Sequence, residues 1–103
     1  RLIVQDAEAV AKAGAFAMVI EGVMEPIAIE ITGKVECPTI GIGAGKHADG
    51  QVLVTHDMFG ITKDFKPRFL RRYAELFDAM KDATQRYIAD VKAKDFPNDS
   101  EQY

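Results

Sequence analysis

The 103 residues carry thirteen Lys and Arg against sixteen Asp and Glu, a net charge of −3, with 48% hydrophobic and 28% charged side chains. That balance belongs to a packed chain and argues against disorder, and it does not predict a nucleic-acid or anionic-membrane surface, which calls for clustered Lys and Arg. The longest apolar runs are strand-sized, too short to span a bilayer. Cys37 is the single cysteine, which excludes an internal disulfide and favours a reducing, cytoplasmic setting.

Neither an initiator Met nor a signal peptide opens the chain; Arg1-Leu2-Ile3-Val4 runs straight into a helical pattern, as if entered in mid-course. Ile3, Ala7, Val10 and Ala11 fall at helical spacing, with Gln5, Asp6, Glu8 and Lys12 on the other face. Gly14 is placed to end that helix, because glycine takes the left-handed conformation without a Cβ penalty. The run Ala15-Phe16-Ala17-Met18-Val19-Ile20 is apolar without alternation, which predicts a strand buried on both faces and ending at an acid, Glu21. Pro26 suits the first turn of a second helix, with Ile27, Ala28 and Ile31 inward and Gly33 closing it.

A second buried strand is expected over Pro38-Thr39-Ile40-Gly41-Ile42, dissolving into the glycine loop Gly43-Ala44-Gly45, and a third at Val52-Leu53-Val54. From Pro67 the period turns helical: Phe69, Tyr73, Leu76, Met80, Ala83, Tyr87 and Val91 form one stripe, with a break expected near Phe77-Asp78. The polar tail from Asn98 to Tyr103 is expected to be loose.

Helices alternating with apolar strands predict an α/β fold with a parallel sheet, open or closed into a barrel. Residues 45–51 are too few for a crossover helix, which needs about a dozen, so a compact turn or a near-extended crossover must join the last two strands. A barrel needs eight strands and about 250 residues. The chain therefore reads as one portion, residues 1–103, of a single larger domain. A helix and three strands occupy 1–60, helices 61–97, and the tail 98–103.

The glycine loop is not a nucleotide-binding fingerprint. Lys46 stands where G-x-G-x-x-G needs its third glycine, and the P-loop pattern meets Ile40 and His47 at two required positions. Its glycines allow backbone or ligand to approach closely, or make room for neighbouring side chains. Glu21 is sharper, since an unpaired carboxylate is costly to bury and barrel enzymes place catalytic groups at strand C-termini. Capping of the next helix, or pairing with Lys34 or Lys46, is the alternative for Glu21. His56-Asp57 follows the third strand without a Ser or Cys nucleophile to complete a triad. His47 reads as solvated and Cys37 as packed. Neither histidine has a partner at zinc-ligand spacing, so no metal site is assigned here.

The stretch P-T-I-G-I-G-A-G from Pro38 to Gly45, continuing through Asp49-Gly50-Gln51-Val52-Leu53-Val54 to His56-Asp57-Met58-Phe59-Gly60, resembles the ketopantoate hydroxymethyltransferase family. Ala13-Gly14-Ala15-Phe16, Ile20-Glu21, Ile31-Thr32, Tyr87, Val91 and Phe96-Pro97 fit the same family in order, so the resemblance covers nearly the whole chain. It implies the last three strands and closing helices of a (β/α)8 barrel, in a protein that is commonly oligomeric. It also implies transfer of a hydroxymethyl group from methylenetetrahydrofolate to α-ketoisovalerate, giving ketopantoate on the route to pantothenate and coenzyme A. By the same resemblance a magnesium ion holds the keto acid. A glutamate, matched by Glu21, removes the proton next to the carbonyl, and the enolate attacks the methylene carbon. Such a base is expected in a partly buried pocket.

Two departures stand out. Met24 follows Val23 where the family continues Val-Pro, and the family's closing E-H-S-[FY] is reduced to Glu101-Gln102-Tyr103. The resemblance also implies that the magnesium ligands, and the lysine and serine that grip the keto acid, lie upstream of Arg1. These residues alone are thus expected neither to hold magnesium tightly nor to turn over. Two other readings remain: a related magnesium-dependent α-keto-acid lyase or mutase, and a non-catalytic interaction module using the C-terminal helices.

Overall fold

The structure is a computed structural model and describes residues 2–103. The chain divides into two compact units, one running to Val54 and including Pro67–Leu70, the other holding Thr55–Lys66 and Arg71–Tyr103. In the first, helix α1 (Leu2–Lys12) precedes strand β1 (Met18–Glu21), helix α2 (Glu25–Lys34), strand β2 (Thr39–Ile42) and the two-residue strand β3 (Gly50–Gln51). The second holds the short helix α3 (Thr55–Met58), the long helix α4 (Leu76–Lys92) and a 3-10 turn at Asp99–Glu101.

The expected α/β class and parallel sheet are present: the order is β1-β2-β3, with both neighbour pairs parallel. Met18 stands opposite Thr39 and Glu21 opposite Ile42, while Ile40 and Gly41 face Gly50 and Gln51. Helix α1 stops before Gly14, which takes φ +104 as expected. The apolar stripes meet in one core, Val4 and Ala7 from α1, Ile20 from β1, Ala28 and Ile31 from α2, and Ala44 beyond β2. Ile31 is 1% exposed, and burying a side chain of that size contributes about 1.5–3 kcal/mol.

Several elements differ from the expectation. Strand β1 starts at Met18, not Ala15, and is covered on one face only: Ile20 is buried in the core, whereas Val19 on the opposite face is 59% exposed. Alternate residues of a strand point to opposite faces, and the core partners α1 and α2 lie on the Ile20 face. Helix α2 passes through Gly33 and ends at Lys34. Its cap, Val35, leaves in an extended conformation (φ −90°, ψ 148°) that needs no glycine.

The third strand lies at Gly50–Gln51 rather than at residues 52–54. Val52 N–H still donates to Gly41 O at 3.0 Å, but Gly43 at φ +66 turns β2 away, so the ladder has nothing further to pair with. The C-terminal helix starts at Leu76, not Pro67, because the preceding backbone bonds elsewhere. Tyr73 N–H donates to Met58 O at 2.7 Å, and Arg72 Nη2 holds the carbonyls of Thr62, Lys63 and Phe65.

The predicted compact link between the last two strands is present, without a helix between them. Asp49 fastens it: its Oδ2 accepts Thr39 N–H at 2.8 Å and the Thr39 hydroxyl at 3.2 Å, and Asp49 N–H donates to Thr39 Oγ1 at 3.2 Å. In the second unit α4 ends through Lys94 at φ 59, and Asp95 N–H returns to Asp90 O at 2.9 Å. The Tyr87 and Phe96 rings then meet edge to face at 5.5 Å. The tail is not structureless, since Asn98 and Glu101 form a reciprocal capping box around the 3-10 turn.

Candidate active site

Glu21 is the last residue of β1, and the chain leaves the sheet immediately after it through Gly22 at φ +63. Gly22 N–H donates to Ile42 O at 3.0 Å, so the exits of β1 and β2 are tied together. The Glu21 carboxylate is exposed and makes no hydrogen bond or ion pair among the described residues. Lys34 pairs with Glu30 at 3.3 Å instead, and the next helix begins with Glu25. Neither pairing nor capping therefore accounts for Glu21. The partly buried pocket expected around it is not formed by these residues.

Beside Glu21, residues 43–46 leave β2 as a loop built on glycine. The Phe69 ring lies against Gly43, where an added Cβ would stand 3.0 Å from the ring. Ala44 is buried and anchors the loop in the core. Over Gly45 lies the Glu25 side chain, whose Oε2 accepts Lys46 N–H at 3.3 Å. Gln51 Nε2 donates to Gly45 O at 2.9 Å, which fastens the loop to β3. The C-terminal edge of the sheet thus brings together the free carboxylate of Glu21 and a backbone loop held from two sides. A free carboxylate at such an edge can accept a proton from a bound substrate.

The sheet brings Glu21 and the glycine loop to one edge, with Glu21 opposite Ile42. His47 is exposed, and His56 and Asp57 sit on α3 in the other unit, His56 exposed and Asp57 7% exposed. Cys37 is half-buried at the opposite edge. There it lines, with Phe16, Lys12, Lys34 and Pro38, an open cleft of about 670 Å³. That cleft lies at the strands' N-terminal ends and does not include Glu21. Among the described residues no group of three or more His, Cys, Asp or Glu side chains could hold a metal ion. No described helix is long and apolar enough to cross a membrane.

The sequence does not mark Glu25 at all, and it marks Asp49 only within a motif and Phe69 only within a helical stripe. Asp49 lies within the Asp49-Gly50-Gln51 run that carries the resemblance and could have been suspected. Glu25 reads locally only as an acid in the first helical turn, and nothing local to Phe69 signals its seat on Gly43.

The family model for ketopantoate hydroxymethyltransferase matches residues 1–99. A 3-methyl-2-oxobutanoate hydroxymethyltransferase of Bacteroides thetaiotaomicron is 50% identical over 101 residues, covering 98% of this chain and 37% of the relative. The protein of that name from Sinorhizobium fredii is 55% identical over 93 residues, 90% of this chain and 34% of its own length. That from Sphingopyxis alaskensis is 53% identical over 103 residues, 100% of this chain and 36% of its own. The chain thus spans little more than a third of these relatives. It belongs to the ketopantoate hydroxymethyltransferase family.

Proposed function

We propose that this chain supplies the general base of a hydroxymethyltransferase that converts α-ketoisovalerate to ketopantoate, with methylenetetrahydrofolate as one-carbon donor. The observation that carries the reading is Glu21, an unengaged carboxylate at the C-terminal end of a parallel strand. It is supported by family membership and by relatives that bear the name 3-methyl-2-oxobutanoate hydroxymethyltransferase.

Glu21 takes the proton from the carbon next to the keto group, and the electron pair of that C–H bond becomes the enolate. The enolate carbon then bonds to the folate's methylene carbon. The carbon–nitrogen bonds to the folate break, water supplies the hydroxyl oxygen, and tetrahydrofolate leaves. The glycine loop beside Glu21 lets a substrate come close without meeting side chains.

The three strands are proposed to be the last three of a closed (β/α)8 barrel in a homo-oligomeric cytoplasmic enzyme. The uncovered face of β1 at Val19 supports closure, because a barrel interior covers that face. Magnesium remains part of the proposal as the group that holds the keto acid. The described residues do not fit it, so its ligands are assigned outside them. By themselves these 103 residues are expected not to turn over, and transfer by a purified polypeptide of only this length refutes that. The reaction is tested with the full-length gene product, α-ketoisovalerate and methylenetetrahydrofolate. Magnesium-dependent formation of ketopantoate is expected, and its absence in a folded, metal-saturated protein overturns the reading.

A further inference from the structure

The segment after Glu21 is clamped at both ends to the exit of β2. Nearest Glu21, Gly22 N–H donates to Ile42 O at 3.0 Å; four residues after it, Glu25 Oε2 accepts Lys46 N–H at 3.3 Å. The second tie is unusual in its chemistry. Glu25 is the first residue of α2, where an acid ordinarily serves its own helix, and this helix has no side-chain cap of its own. The Glu25 side chain instead crosses to the glycine loop and lies on Gly45. An added Cβ there would stand 2.6 Å from Glu25 Cγ and 2.9 Å from its Cβ.

From this we propose that Glu25 is a positioning residue for Glu21: by bracing residues 43–46 against the start of α2, it holds the β1–α2 connection, and with it the base, in one geometry. The inference rests on the reading of Glu21 as base. The bond needs an acceptor oxygen at position 25 but not its charge. It also requires position 45 to lack a Cβ, at φ +79 and beneath the Glu25 stem. Glu25 touches no reacting atom; its effect passes through the loop.

The test uses the full-length gene product and follows deuterium exchange next to the keto group of α-ketoisovalerate. Misplacing a catalytic group by a fraction of an ångström is enough to slow a reaction, so Glu25→Ala is expected to lower kcat for exchange about tenfold with KM within about twofold. Glu25→Gln, whose amide oxygen still accepts, is expected to restore most of the rate. Amide hydrogen exchange across residues 43–47 is expected to quicken in Glu25→Ala but not in Glu25→Gln. Gly45→Ala is expected to disturb those amides more in the parent than in the Glu25→Ala background, where the overlap with Glu25 is gone.

An undiminished kcat in Glu25→Ala, or a Gln variant as slow as the Ala one, overturns the positioning role. Unchanged amide exchange in Glu25→Ala overturns the brace itself. A parent that exchanges no deuterium overturns the base reading and the positioning role together, while the amide measurements still decide whether the brace exists.

Discussion

Asp49 and Thr39 hold each other by three hydrogen bonds across ten residues of chain. Thr39 is fully buried, its N–H and hydroxyl both donate to Asp49 Oδ2 at 2.8 and 3.2 Å, and its Oγ1 accepts Asp49 N–H at 3.2 Å. A hydroxyl has only one proton, so with that proton on Asp49 the Thr32 hydroxyl, 3.0 Å away, must donate to Thr39. This cluster does the work of a crossover helix between β2 and β3.

Removing the carboxylate strands two donors of a buried residue. Asp49→Ala is expected to destabilise the full-length protein by about 2 kcal/mol, and Asp49→Asn, which keeps an acceptor oxygen, by less than about half of that. Urea unfolding midpoints measure both, and equal losses contradict the account.

Gly60 sits at φ +65, where a Cβ would overlap the Ala74 carbonyl oxygen and stand 3.0 Å from Glu75 Cα. That backbone cannot yield, because Leu76 and Phe77 N–H donate to Phe59 and Gly60 O at 3.0 Å each. Gly60→Ala is expected to cost about 3 kcal/mol from left-handed strain plus overlap, against about 1 kcal/mol for Gly14→Ala. Gly14 also has a positive φ, but a Cβ there meets nothing within 4 Å. Thermal unfolding of the two variants decides, and similar Tm values contradict the overlap.

Arg72 is the organiser of the turn before α4. Its Nη2 donates to Thr62, Lys63 and Phe65 O at 3.0, 2.7 and 3.2 Å, with the side chain 12% exposed. Arg72→Ala is expected to cost about 2 kcal/mol, with Arg72→Lys intermediate because a single ammonium cannot reproduce the planar donor set. Its contact with Glu75, at 4.0 Å and with that carboxylate 79% exposed, is expected to add nothing measurable. Chemical unfolding of Arg72→Ala and Glu75→Ala separates the two, and a larger loss in the latter contradicts this ranking.

Local signals in the sequence were enough where local physics decides. Gly14 ends α1, the apolar run before Glu21 contains β1, and the seven residues after Ala44 are too few for a helix. They failed where distant partners decide. The 3.6-residue period through Phe69 and Tyr73 is real, yet Phe69 packs on Gly43 and Tyr73 N–H bonds to Met58 O, so neither residue joins α4. The run Val52-Leu53-Val54 has the composition of a strand, but the turn at Gly43 leaves it no ladder. The tail carried a readable signal in Asn98-x-x-Glu101, the spacing of a capping box, that its polarity obscured. At the candidate site, Glu21 was legible as an acid ending an apolar strand. Glu25 was not, because its partner lies 21 residues away.

Removal of the proton next to the keto group by Glu21 can be followed by proton NMR in D2O. The full-length gene product and its Glu21→Gln variant are compared with magnesium and α-ketoisovalerate, without folate. Magnesium-dependent exchange is expected in the parent, with a loss of at least about a hundredfold in the variant, the scale of a general base. Exchange that persists undiminished in a folded Glu21→Gln protein contradicts this role of Glu21.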